Sequence, residues 1–121
     1  MIEINNLTAK KVDEAFLKKV ARKVLARENK EEFNLSIALV GRERIKELNK
    51  KYRKKNKATD VLSFKYDNNS GEVVICPQET TPTPKGRGSD RSVGEELARV
   101  LTHGILHLLG YTHRQMEQKN G

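Results

Sequence analysis

SVGEELARVLTHGILHLLGYTH, residues 92–113, is the stretch on which the reading of the fold turns. Setting successive residues 100° apart gathers Val93, Leu97, Val100, Leu101, Gly104, Ile105 and Leu108 on one broad face, which predicts a helix from Ser92 to Leu109. Ser92 can cap it, with Glu95 three residues later as the second half of a capping box. His103 and His107 lie together beside the apolar face, one turn apart. Gly110 supplies the helix end, because without a side chain it can enter a left-handed turn. The helix is core on one side and imidazole on its flank.

Working outward, the rest of the chain reads as mixed α and β. IEIN at 2–5 alternates apolar and polar residues and predicts a short strand. Residues 10–28 carry Val12, Phe16, Val20, Val24 and Leu25 at helical spacing, with Thr8 as a possible cap. FNLSIALV, 33–40, is a strand whose apolar end predicts a central place in a sheet. After Gly41, residues 42–53 present Ile45, Leu48 and Tyr52 as one apolar helical stripe. DVLSFKY (60–66) and EVVICP (72–77), with the DNNSG turn cluster between them, predict an antiparallel hairpin. Residues 77–92 hold all three prolines and no periodicity, so they read as a long loop. No internal repeat or linker divides the 121 residues, and the expectation is one domain over 1–121.

Composition narrows the function classes. With 36% hydrophobic and 33% charged residues and no Trp, the chain has a soluble composition and a modest core. No run approaches the ~20 apolar residues of a membrane span, so no membrane role is expected. The N-terminus lacks the apolar stretch of a signal peptide. A lone Cys76 cannot form an internal disulfide; at the end of an apolar strand it reads as a small buried residue, and the expected compartment is the cytoplasm. Of the net charge of +8, +7 falls in RERIKELNKKYRKKNK, 42–57, where nine basic residues face only Glu43 and Glu47. Such a run is commonly a solvated face, yet it also favours phosphates, with an affinity that falls as salt rises. Only Tyr52 interleaves it, which is weak support for base stacking.

All three histidines lie within eleven residues, at 103, 107 and 113. Positions i and i+4 on a helix are neighbours, so His103 and His107 can reach one ion. Alone, that pair reads as two histidines satisfied by their surroundings. The helix stop at Gly110 lets the chain fold back and deliver His113, and the reading shifts to metal. Three neutral nitrogen ligands leave a fourth position open for water, the pattern of a catalytic zinc site holding one ion.

The spacing equals that of the metzincin proteases, His-Glu-x-x-His-x-x-Gly-x-x-His, but Gly104 stands where those enzymes carry the general-base Glu. A peptidase of that mechanism needs the carboxylate to move a proton to the leaving amine. A phosphodiester is already anionic and needs positive charge nearby more than it needs that base. Glu96 shares the angular position of the histidines, two turns before His103. Thr59 and Asp60 read as organisers of the turn into the strand that follows.

HGILHLLGYTH, 103–113, resembles the HGxLHLxGYDH signature of the YbeY family, the bacterial single-strand-specific metalloendoribonucleases of ribosomal RNA maturation and ribosome quality control. ELNKKYRKKNKATDVLSF (47–64) is similar to the family's ELNxxYRxKDxPTDVLSFP stretch, and GEVVICP (71–77) to its GDIxIC-type strand. The three motifs follow in order and lie within residues 47–113. The resemblance implies an α+β fold, with a small, mostly parallel mixed sheet of about four strands packed with helices and the metal site on the last long helix. It implies one zinc ion held by His103, His107 and His113, with Arg53 as a functionally important basic residue. It also implies a cytoplasmic enzyme acting on single-stranded RNA, with ribosomal RNA and the small ribosomal subunit as partners.

Departures are few. Thr112 replaces the signature's Asp, Ala58 and Lys65 replace family prolines, and the chain ends eight residues after His113, where the family continues into a C-terminal helix. Two other readings stand beside the endoribonuclease. One is a zinc hydrolase of another class, such as a protease-like enzyme; the other is a ribosome-associated zinc protein with reduced or lost catalysis.

Overall fold

The computed structural model describes residues 1–80 and 93–111. The Ser92 cap, the loop from residue 81 to 92, Thr112, His113 and the C-terminal end lie outside the described residues. The order of elements is β1 (Ile2–Asn6), α1 (Glu14–Arg27), β2 (Asn34–Leu39), α2 (Arg42–Arg53), β3 (Val61–Asp67), β4 (Ser70–Ile75), a 3₁₀ turn (Pro77–Glu79) and α3 (Val93–Leu108). The strands form one sheet in the order β1-β2-β4-β3. β1 and β4 both run parallel to β2, and β3 pairs antiparallel with β4. The fold is therefore α+β with a mostly parallel mixed sheet. Among the described residues, no helix is long and apolar enough to cross a membrane.

One face of the sheet is covered by α1 and α3. Leu35, Ile37, Leu39, Val73 and Ile75 from the central strands meet Leu17, Leu25, Leu101 and Ile105 in the main core. Burying each such side chain contributes about 1.5–3 kcal/mol. The opposite face carries α2, whose Ile45 and Leu48 cover Ala38, Val40, Leu62 and Val74. Cys76 is buried in this second cluster. The hairpin turn is closed by Asp67, whose Oδ1 accepts from the Asn69 N–H (2.8 Å) and the Ser70 hydroxyl (2.9 Å). Those bonds, the backbone one foremost, hold its carboxyl below the usual carboxylate range.

Two local expectations are corrected. Helix α1 begins later than predicted and is capped by Asp13, whose Oδ1 accepts from the Phe16 N–H at 3.0 Å, while the Thr8 hydroxyl bonds Asn6 instead. Its buried face is Leu17, Ala21, Val24 and Leu25, and Phe16 is 37% exposed. Residues four apart advance about 40° around a helix, so a stripe drawn in steps of four drifts off the true face. The second correction is at Pro77–Glu79, where the expected loop makes a 3₁₀ turn tied to α2 by the Arg42–Glu79 ion pair.

Candidate active site

A cleft of about 480 Å³ opens along the outer edge of β3. Its walls include Arg53 from the end of α2, Asp60, Ser63 and Lys65 from β3 and its approach, and His107 and Gly110 from the end of α3. Arg53 and His107, distant in sequence and both singled out there, thus face one space. His103 lies one turn earlier on α3, half-buried, and does not line the cleft. His113 lies beyond the described residues. Among those described, no three His, Cys, Asp or Glu side chains converge as a metal group.

Each wall is held by local chemistry. Helix α2 ends at Arg53 because Lys54 turns into the left-handed region (φ 58°), and the Lys55 N–H reaches back to the Asn49 carbonyl at 3.3 Å. Asn49, 1% exposed, donates through Nδ2 to the Lys57 carbonyl at 2.9 Å. It pins the 54–59 loop, and therefore Arg53, beside β3. The start of β3 is fixed by the Cys76 N–H donating to the Asp60 carbonyl at 2.9 Å.

The α3 wall depends on two glycines. A Cβ on Gly104 would lie 2.7 Å from Val73 Cγ1 and 3.1 Å from Val61 Cγ2, so only glycine lets the helix lie this close to the sheet. The Ser63 hydroxyl uses the same approach to donate to the Gly104 carbonyl at 2.8 Å. Gly110 takes φ +97°, with its N–H on the His107 carbonyl and the Tyr111 N–H on the Leu106 carbonyl, both at 3.0 Å. This double bond pattern terminates the helix directly after His107 and Leu108.

Two i, i+4 imidazoles followed at once by a helix stop have the donor chemistry that suits a zinc ion, and they are the described part of the expected His₃ set. The cleft is basic through Arg53 and Lys65, with Asp60 as its carboxylate. Glu96, on the same helix stripe, is 1% exposed and accepts from Arg99 Nε at 3.0 Å, so its charge is compensated inside the fold. Sequence reasoning did not single out Ser63 or Asn49, and it noted Lys65 only as a departure from the family's stretch and not as a site residue. For Ser63 and Lys65 the signal was the two-residue period of β3, in which Val61, Ser63 and Lys65 share a face. Asn49 gave none, because a polar residue on a basic helix reads as exposed.

A family model described as endoribonuclease YbeY matches residues 3–121. The chain belongs to this family. A Sulfurihydrogenibium endoribonuclease YbeY is 38% identical, the match covering 91% of this chain and 76% of the relative. Those of Thermodesulfovibrio yellowstonii and Anaeromyxobacter dehalogenans are 41% and 45% identical, over 70% and 75% of this chain and 63% and 49% of theirs. The chain thus spans about half to three quarters of these relatives' lengths. The solution structure of a Thermotoga maritima protein superposes with a TM-score of 0.58 at 30% identity, covering 93% of this chain and 75% of that one. Within the YbeY frame, Lys65 adds a second cation to the cleft wall beside Arg53. Position 104 faces Val73 and Val61, so the residue after the first histidine points into the sheet.

Proposed function

We propose that this chain is a one-domain, zinc-dependent, single-strand-specific endoribonuclease acting in ribosomal RNA maturation and ribosome quality control. On this reading it works in the cytoplasm on the RNA of the small ribosomal subunit. The observation that supports it most is the meeting of Arg53 and His107 on one basic cleft. His103, His107 and His113 would hold the ion, which when bound supplies Lewis acidity and a water of lowered pKa. Arg53 offsets the charge that develops on the scissile phosphate, the contribution a preorganised cation makes in a restricted site. Lys65 holds the substrate backbone, and Asp60 is the lining carboxylate able to accept a proton. The protease-like alternative is disfavoured by the packing of Gly104, since a glutamate there would meet the sheet.

The test is incubation of the purified protein with end-labelled single-stranded RNA, with and without a chelator. Chelator-sensitive internal cleavage is the expected result. Intact RNA with zinc retained would instead favour the ribosome-associated zinc protein.

A further inference from the structure

On the other side of β3 from the cleft lies a second groove, of about 320 Å³, between α2 and the part of the sheet that α2 leaves uncovered. Three of the chain's six Phe and Tyr residues line it: Tyr52 from α2 and Phe64 and Tyr66 from β3. The Tyr52 and Phe64 rings meet edge to face, with centroids 5.2 Å apart. Tyr52 is 56% exposed and Tyr66 62% exposed, unusual values for apolar rings beside a groove floored by Ala38 and Val74. Tyr66 sits where the β3–β4 register shifts between Lys65 and Asp67, a bulge that re-aims a side chain. Its hydroxyl donates to Glu72 Oε1 at 2.6 Å, which fixes the ring's direction.

The groove and the cleft are neighbours by construction. Tyr52 lines the groove and the next residue, Arg53, lines the cleft; Phe64 lines the groove and Lys65 the cleft. Only the edge strand separates them. The charge beside the aromatics is strongly positive, since +7 resides in residues 42–57, Arg44 reaches the groove, and Lys51 Nζ lies 5.3 Å from the Tyr52 ring centroid. Exposed aromatic faces within a field of cations are the chemistry of a single-stranded nucleic acid, whose bases stack while its phosphates are neutralised. A duplex, with its bases already stacked on one another, has none to offer.

We infer that this groove is a base-stacking subsite for single-stranded RNA, in which the strand crosses the β3 edge and places a phosphate in the cleft while a neighbouring base stacks on Tyr52 and Tyr66. The inference rests on the RNA reading above and adds to it the device that selects single strands.

The test measures binding of a fluorescein-labelled, ten-nucleotide single-stranded RNA, with 2′-O-methyl riboses to slow cleavage, against the same backbone made of abasic units at fixed salt. The wild-type protein should bind the base-bearing strand about tenfold more tightly than the abasic one, the scale of one stacked base. Tyr66→Ala and Tyr52→Ala should lose that preference and keep the abasic affinity. Tyr66→Phe, which retains the ring without the hydroxyl, should keep the preference. A wild-type protein that binds both strands equally, or a Tyr52→Ala, Tyr66→Ala double variant that retains the preference, overturns the groove and leaves the RNA reading standing. Failure of the wild type to bind either strand overturns the RNA reading and the groove with it. A dimer seen by sedimentation that Tyr66→Ala abolishes, with the base preference unchanged, assigns the groove to a second copy and also overturns the inference.

Discussion

Lys54 holds a positive φ of 58°, a region in which a β-carbon meets the neighbouring carbonyl. Replacing it with glycine removes that cost at the end of α2, and Lys54→Gly is expected to stabilise the fold by about 0.5–1 kcal/mol. Urea denaturation should show a higher midpoint at unchanged slope. Tyr66 offers a second test at this scale. Its hydrogen bond to Glu72, with lesser help from desolvation and the carboxylate's charge, pushes its phenol up from 10 to about 12. A folded-state value above the unfolded one means that its contribution to stability is present below pH 10 and is lost as the pH climbs through about 12. The Tyr66 phenolate absorbance should accordingly appear late, and Glu72→Gln should move it down towards 10. The histidines give a third test, acting together: the protein should carry about one zinc per chain, and His103→Ala with His107→Ala should abolish it in elemental analysis.

The contact of α3 with the sheet hinges on Gly104. Alanine there places a methyl 2.7 Å from Val73 Cγ1, and either the helix lifts or Val73 leaves its rotamer. Gly104→Ala should cost about 1–3 kcal/mol, the usual range for overpacking a core. Because Ser63 bonds the Gly104 carbonyl, lifting α3 also displaces β3 and the cleft wall. Thermal unfolding measures the first effect, and turnover in the folded fraction the second. A variant as stable as the parent would show that the approach of α3 to the sheet does not depend on glycine at position 104. Much of this element scale was legible beforehand, since helix ends and hairpins are written in neighbouring residues: the Gly110 stop, the DNNSG turn and the central place of β2 all follow from local pattern. The start of α1 was not, because Asp13 and Thr8 are both good caps and only the packing of Leu17 and Ala21 chooses between them.

Across the whole molecule, the basic segment divides into one cation at the cleft and several in a surrounding field. Arg53→Ala should lower turnover on single-stranded RNA by roughly two orders of magnitude, the scale for removing one transition-state donor, with zinc retained. Lys50, exposed on the same helix, should when changed to alanine mainly weaken binding and reduce the salt dependence by about one unit of slope. Rates at saturating substrate separate the two effects. Equal, modest losses in both variants would make Arg53 one more surface cation. The amino-acid sequence by itself determined the elements, the i, i+4 histidine pair, the left-handed helix stop and the concentration of charge, because each is a relation between residues a few positions apart. Tertiary structure alone decided that Arg53 and His107 line one cleft, that Lys65 and Asp60 line it with them, and that Tyr52, Phe64 and Tyr66 share a groove. The reason is topological: β4 inserts between β2 and β3, which makes β3 the edge strand with α2 on one side and α3 on the other. Which side chains then face each other depends on strand order and register, and no local pattern carries that information.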